Sequence, residues 1–377
     1  MTKSMVLKGV ATLLILGLIG FAGWIYTLPS AVASPEAPPV PREEVEALLS
    51  ALTPKNTDRP TIAVIGINDD ATETTDYLMP TGILRRADVA DVVLLSTAKG
   101  PVQLYPALKV EPDATIAEFD AGNPGGADFV IVPAMSRDDH PAVMAWLQSQ
   151  AQKGATIIGV CAGAKVVAAA GLLKDHRATT HWWYLSKFLK IDPSIDYVRD
   201  RRIVADDRVV TTTGISASMP VALMLIEAIA GRAKAEKVAQ GLGVEHWGAE
   251  HASDAFRLTR GFATTVLGNV MAFWRRDTWQ IEVEQGVDEV SLALVTDAWS
   301  RTYRSGVQTF NPSETMIETA NGIRILPDIT GTPDGKLESW GNLPPADVLD
   351  ETLAKIGQVY GERTETIVAM QLEYPRQ

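Results

Sequence analysis

The chain holds one cysteine, Cys161, and the residues around it are arranged for chemistry. It stands in Gly159-Val-Cys161-Ala-Gly163, between an apolar β-branched run (Thr156, Ile157, Ile158, Val160) and an Ala-rich segment closed by Gly171. This reads as a strand, a sharp turn and a helix. It is the sulfur counterpart of a nucleophile elbow, where small flanking residues permit a strained turn. A thiol so placed meets free backbone N–H groups and the positive end of the helix dipole, so a lowered thiol pKa is expected. The N–H of Ala162 then faces a developing oxyanion, and Gly163 belongs to the same pocket. The plain alternative is a buried structural cysteine, which has no need of two flanking glycines.

The elbow needs a sheet to hold it. Thr61–Ile67, bounded by Pro60, reads as a buried strand, Thr74–Arg86 as a helix and Val92–Ser96 as a second strand. Pro101–Val110 reads as a short hairpin and Phe129–Val132 as another apolar strand. His140-Pro141 opens a helix with proline at its first position and Ala142, Val143, Trp146 and Leu147 on one face, which makes His140 a cap rather than a catalyst. Beyond the elbow, Arg177–Trp182 is a short strand delivering His181, and Arg201–Val204 with Arg208–Thr213 form an edge hairpin. Gly214-Ile-Ser-Ala-Ser-Met-Pro220 turns into a helix at Val221–Ala230, placing Gly214 and Ile215 beside the elbow. Alternating strands and helices predict a doubly wound, mainly parallel α/β sheet with reactive groups at the C-terminal strand ends.

With 377 residues there is room for two domains, and a single cysteine forbids an intrachain disulfide. The 34 Lys+Arg against 46 Asp+Glu give a net charge of −12, with no basic cluster, so nucleic acid is not a direct partner. Lys3 and Lys8 precede an apolar run from Val10 to Leu28 (28 − 10 + 1 = 19 residues), about the minimum for a spanning helix. This predicts a transmembrane anchor in residues 1–34 with the N-terminus in the cytoplasm and the body outside. Ala31-Val-Ala33 supplies the competing reading, a cleaved signal and a secreted or periplasmic body. Residues 35–60 read as a Pro-rich spacer followed by a short helix at Glu43–Leu52.

From about Thr61 to about Asp254 the chain resembles the ThiJ/PfpI family of the class I glutamine amidotransferase-like superfamily, including isonitrile hydratases and the sensor domains of AraC-type regulators. The resemblance rests on Val160-Cys-Ala-Gly-Ala, Ala169-Ala-Gly-Leu-Leu173 and Arg177-Ala-Thr-Thr-His-Trp182. It is supported by Gly100-Pro-Val-Gln-Leu104, Val110-Glu-Pro-Asp113 and Thr213-Gly-Ile-Ser-Ala217. The resemblance implies a flavodoxin-like fold for residues 61–254 and a catalytic set of Cys161, Asp76 and His181. Asp76 matches because family members place an acidic residue four positions before a proline, here Pro80, with its carboxyl touching the sulfur. A glycine pair that lends an oxyanion N–H in the family reads Ala134-Met135 here, so Met135 takes that place. Ala162 replaces the histidine of the PfpI proteases, which turns the expectation away from proteolysis. Lys165 replaces a usually apolar residue and reads as either a thiolate-stabilising cation or a solvated one.

A thiolate and a carboxylate cannot both stay charged cheaply in a low-dielectric pocket, so Asp76 is expected to stay protonated and donate to sulfur. That suits attack on an electrophilic carbon followed by proton delivery, as in hydration of an isonitrile or a reactive aldehyde. His181 reads as an orienting group, a proton shuttle or a satisfied structural histidine. Glu245-His246 and Glu250-His251 are spaced by five, roughly 140° apart on a helix, unlike the i, i+4 pairs of zinc sites. The expectation is a small-molecule substrate or ligand with no metal and no cofactor. A ligand- or redox-sensing module without turnover is the alternative.

Residues 255–377 suggest a degenerate partial repeat. At a shift of 328 − 113 = 215, Val110-Glu-Pro-Asp113 falls on Ile325-Leu-Pro-Asp328, Asp76 on Ser291 and Pro80 on Val295. Near the end, Gly231–Leu242 matches Gly361–Leu372 at a shift of 372 − 242 = 130, so the elbow region is missing from the second copy. The alternative is a chance match of two β-α-β patterns. A repeat of this kind packs on the first domain as an internal pseudo-dimer and carries no chemistry of its own.

Overall fold

Seven strands make the central sheet, in the order Ile203–Asp206, Val209–Thr212, Thr156–Gly159, Phe129–Val132, Thr61–Gly66, Asp91–Ser96 and Ala114–Thr115. All pairs are parallel except the outermost, Ile203–Asp206 with Val209–Thr212, which is the expected edge hairpin. The computed structural model describes residues 16–17, 19–30, 36–55, 59–331 and 340–375. A strand covered on both faces must be apolar throughout, and Phe129–Val132 and Thr156–Gly159 are buried at every position. The helices Thr74–Ala87 and Ser218–Ala230 cover one face, while Pro141–Gln152 and Gly163–Ala169 cover the other. Thr61–Gly66 leads to Thr74–Ala87 and Thr156–Gly159 to Cys161, so the C-terminal strand ends gather the reactive residues as the α/β pattern predicts.

The tail is woven into this body. Arg324–Ile325 pairs antiparallel with Lys109–Glu111, and Ile317–Glu318 extends the same five-stranded sheet. In that pairing Ile325 stands opposite Val110 and Arg324 opposite Glu111. A separate parallel sheet is formed by Asp277–Glu282, Ser305–Asn311 and Ile329–Thr330. The helix Glu289–Ser300 packs on Thr74–Ala87 at Gly82, where an added Cβ would come within 2.4 Å of Glu289 Oε1. Pro345–Tyr360 and Glu362–Gln371 then close the chain.

Of the predicted apolar run Val10–Leu28, residues 10–15 and 18 lie outside the described residues. Among the described residues no helix is long and apolar enough to cross a membrane. His140 precedes the helix Pro141–Gln152 as expected, but its side chain makes no cap bond and meets Asp69 instead. The short strand before His181 is confined to Arg177–Ala178, and Ile215–Ala217 forms a 3-10 turn before Ser218–Ala230.

Candidate active site

At Cys161 the chain turns with φ of +56°, a left-handed conformation that a non-glycine residue holds only where its surroundings dictate it. The surroundings here are close-packed. An added Cβ on Gly163 would sit 2.0 Å from the Val132 carbonyl oxygen, and on Gly159 3.0 Å from the Ala164 backbone. The flanking glycines therefore let the turn press against the neighbouring strand. The Cys161 N–H donates to Thr212 Oγ1 at 3.0 Å, and Thr180 Oγ1 donates to the Cys161 carbonyl at 3.1 Å.

Cys161 opens into a cavity of about 460 Å³ that Ala162, Met135, His181 and Ile215 also line. Gly163 and Gly214, expected in this lining, are not part of it. Gly163 is packed against Val132, and Gly214 lies beneath His181, where a Cβ would meet the ring Cδ2 at 2.8 Å. Tyr105, Trp183, Tyr184 and Tyr303 give the walls aromatic character.

Asp76 is fully buried in the first turn of Thr74–Ala87. Its backbone N–H donates to Glu73 at 2.6 Å, and its Oδ2 accepts from the Ala134 N–H at 3.1 Å. Its Oδ1 has no hydrogen-bond partner. Burial, then the neighbouring Glu73 carboxylate, push the Asp76 pKa well above the usual carboxylate range. That direction favours the protonated acid.

The expected lowering of the thiol pKa is corrected. Burial, followed by the charges of Asp76, Glu73 and Glu373, pushes the Cys161 thiol well up, and the Ala162 N–H at the sulfur opposes this only in part. Desolvation outweighs the local dipole because the thiol is nearly closed off from solvent. Both shifts favour the protonated forms, a thiol and a carboxylic acid.

His181 lines the cavity with both ring nitrogens engaged. Nε2–H donates to the Gln371 carbonyl at 2.9 Å, and Nδ1 accepts from the Trp183 N–H at 3.1 Å. Burial lowers its pKa, so the ring is neutral and held in one tautomer. This geometry fits the orienting or structural reading of His181 and leaves no free nitrogen for a proton shuttle. Lys165 is not solvated: it is buried, 2.7 Å from Asp138, with its ammonium over the Tyr184 ring, and the Cys161 charge acts on it after those of Asp138 and Lys187. No group of three or more metal-ligating side chains occurs among the described residues.

The tail, expected to carry no chemistry of its own, supplies part of the cavity wall. Arg301 enters the cavity wall from the tail and donates to Glu73 at 2.8 Å and to Asp297 at 2.6 Å. Glu73 is pushed up to about 7 by burial, then by the Asp297 charge, with Arg301 opposing both. Glu373 accepts from the N–H groups of Trp182 at 2.6 Å and Gly214 at 2.8 Å. Glu73, Arg301 and Glu373 were missed by sequence reasoning. Only Glu73 left a trace there, as an acidic residue three positions before Asp76 at a helix start.

Residues 61–228 match the model of the DJ-1/PfpI family. The chain is 29% identical over 171 residues to the Parkinson disease protein 7 homolog of Danio rerio, covering 44% of this chain and 88% of that protein. It is 34% identical over 137 residues to isonitrile hydratase of Pseudomonas putida, covering 35% of this chain and 56% of the hydratase. Among solved structures, Drosophila melanogaster DJ-1beta is 23% identical, with a TM-score of 0.45, covering 50% of this chain and all of that one.

Proposed function

We propose, from the premise that residues 61–228 are a DJ-1/PfpI family domain, that this chain is a cysteine-dependent hydratase or lyase acting on a small electrophile. The observation that carries the reading is a strained elbow thiol opening into an aromatic-walled cavity, with Asp76 buried behind the wall, one of its oxygens unpartnered, and its charge acting on the thiol. An isonitrile is the favoured electrophile, in keeping with the hydratase similarity. Sulfur bonds to the isonitrile carbon while Asp76 delivers its proton there and takes up the thiol proton, giving a thioimidate. Water adds to that carbon and its proton passes to nitrogen. The C–S bond then breaks, the sulfur recovers a proton, and an N-substituted formamide leaves. One water is consumed and nothing is oxidised or reduced. Purified protein should hydrate members of a panel of isonitriles and α-oxoaldehydes, with formamide or hydroxyacid read by mass spectrometry. No turnover across the panel would favour the sensing module, the reading that the raised thiol pKa supports.

The proposal includes the tail as a truncated second copy that completes the site. Several contacts support it. Ile325 stands opposite Val110, its counterpart at the 215-residue shift, as strands do across a two-fold axis. Arg301 meets Glu73 while Arg86 meets Asp288, the same pair with the roles of the two copies exchanged. Asp113 accepts from the Leu94 N–H at 2.7 Å, and its counterpart Asp328 accepts from the Thr309 N–H at 2.9 Å. An extracytoplasmic location, anchored or secreted after cleavage near Ala33, is part of the proposal and rests on Lys3, Lys8 and Val10–Leu28. Recovery of the protein in a cytoplasmic fraction would remove it.

A further inference from the structure

A second cavity, of about 850 Å³, is lined by Arg86, Gln285, Gly286, Asp288, Ser291 and Trp340. None of these borders the Cys161 cavity. The first five stand 215 positions from residues of the catalytic site, and the correspondence is close. Arg86 answers to Arg301, Gln285 to Asp70, Gly286 to Ala71 and Asp288 to Glu73, and all four counterparts line the Cys161 cavity. Ser291 answers to Asp76, the group whose charge acts on the thiol. The ion pair across the two halves is also present, Arg86 with Asp288. The elbow has no equivalent, because Cys161 is the chain's sole cysteine.

What remains is built for binding without a nucleophile. Ser291 is 1% exposed, its Oγ has no hydrogen-bond partner, and it lines the cavity. A buried hydroxyl left unpaired costs stability, which a ligand donating to it would relieve. The walls also carry Glu282, Glu284 and Asp288 with one guanidinium, that of Arg86, and Trp340 is among the lining residues. Three carboxylates, one cation and an aromatic surface favour a positively charged guest.

We infer that this cavity is a non-catalytic site for a small aliphatic amine, whose ammonium donates to Ser291 Oγ between the carboxylates. The inference rests on the truncated-copy reading and is independent of turnover at Cys161. The test is calorimetric titration of the full chain with spermidine at low ionic strength, where charge pairing is least screened. One saturable site per chain is expected, with the same affinity in Cys161→Ser and at least tenfold weaker binding in both Glu284→Gln and Ser291→Ala. Glu284 is exposed, so a melting transition like wild type in Glu284→Gln keeps that comparison free of folding effects. Absence of saturable binding, unchanged affinity in both cavity variants, or loss of binding in Cys161→Ser would overturn the inference.

Discussion

Asp76→Asn should make Cys161 more reactive toward iodoacetamide at alkaline pH, where the wild-type carboxyl has ionised, while nearly abolishing turnover. Once ionised, Asp76 is the second cause, after burial, of the raised thiol pKa, and the asparagine never carries that charge. The lower thiol pKa raises the thiolate fraction, and alkylation with it. The asparagine has no proton to give, and losing a positioned acid typically costs about 10²–10⁴ in rate. A structural carboxyl would not move the two readouts in opposite directions. The same variant should alter stability against pH. Glu73 rises from an ordinary 4.5 to about 7, and Asp76 is raised too. Raised acids favour the folded state below their unfolded pKa values, and that contribution is lost as pH rises through the folded ones. Wild type should therefore lose melting temperature between about pH 5 and pH 8 through these two groups. Asp76→Asn should flatten the fall, since one of the two charges never forms. Parallel curves, or alkylation and turnover that both match wild type, would remove the acid role of Asp76.

Arg301→Met should destabilise the protein by about 3–5 kcal/mol, the usual result of leaving a buried charge without its partner. Arg301 is 16% exposed at its side chain, while Glu73 and Asp297 are 9% and 0% exposed, so little solvent is available to replace the guanidinium. Glu73 also caps the helix that carries Asp76, so its displacement carries through to the cavity. Adding Glu73→Gln should recover part of the loss, because one of the two orphaned carboxylates is then neutral. The measurement is denaturant unfolding of wild type, both single variants and the double variant, read as a coupling energy. A loss below about 0.5 kcal/mol for Arg301→Met would mark the pair as a solvent-screened surface contact.

These two substitutions also mark how far the sequence could be read. The elbow was legible because its demands are local: a tight turn against Val132 needs Gly163, and buried parallel strands need uninterrupted apolar runs such as Phe129–Val132. Asp76 was reached through its spacing to Pro80 within one helix. Arg301 was not legible, since it meets Glu73 across 228 residues and nothing near it in sequence signals a site. Glu373 reaches Trp182 across 191 residues and was equally silent. The direction of the thiol pKa was misread for the same reason. The turn and its N–H groups are local, whereas burial and three carboxylates are assembled only by the fold. Lys165 shows the reverse case, a lysine buried because Asp138 and the Tyr184 ring await it.

The central claim is that turnover runs through the Cys161 sulfur, and hydration of the best isonitrile by wild type and Cys161→Ser tests it most directly. The account predicts formamide formation by wild type, with a transient adduct of substrate mass on Cys161 in intact-protein mass spectra. It predicts a rate at least about 10³-fold lower in Cys161→Ser, with an unchanged melting transition. Turnover by Cys161→Ser at the wild-type rate would contradict it.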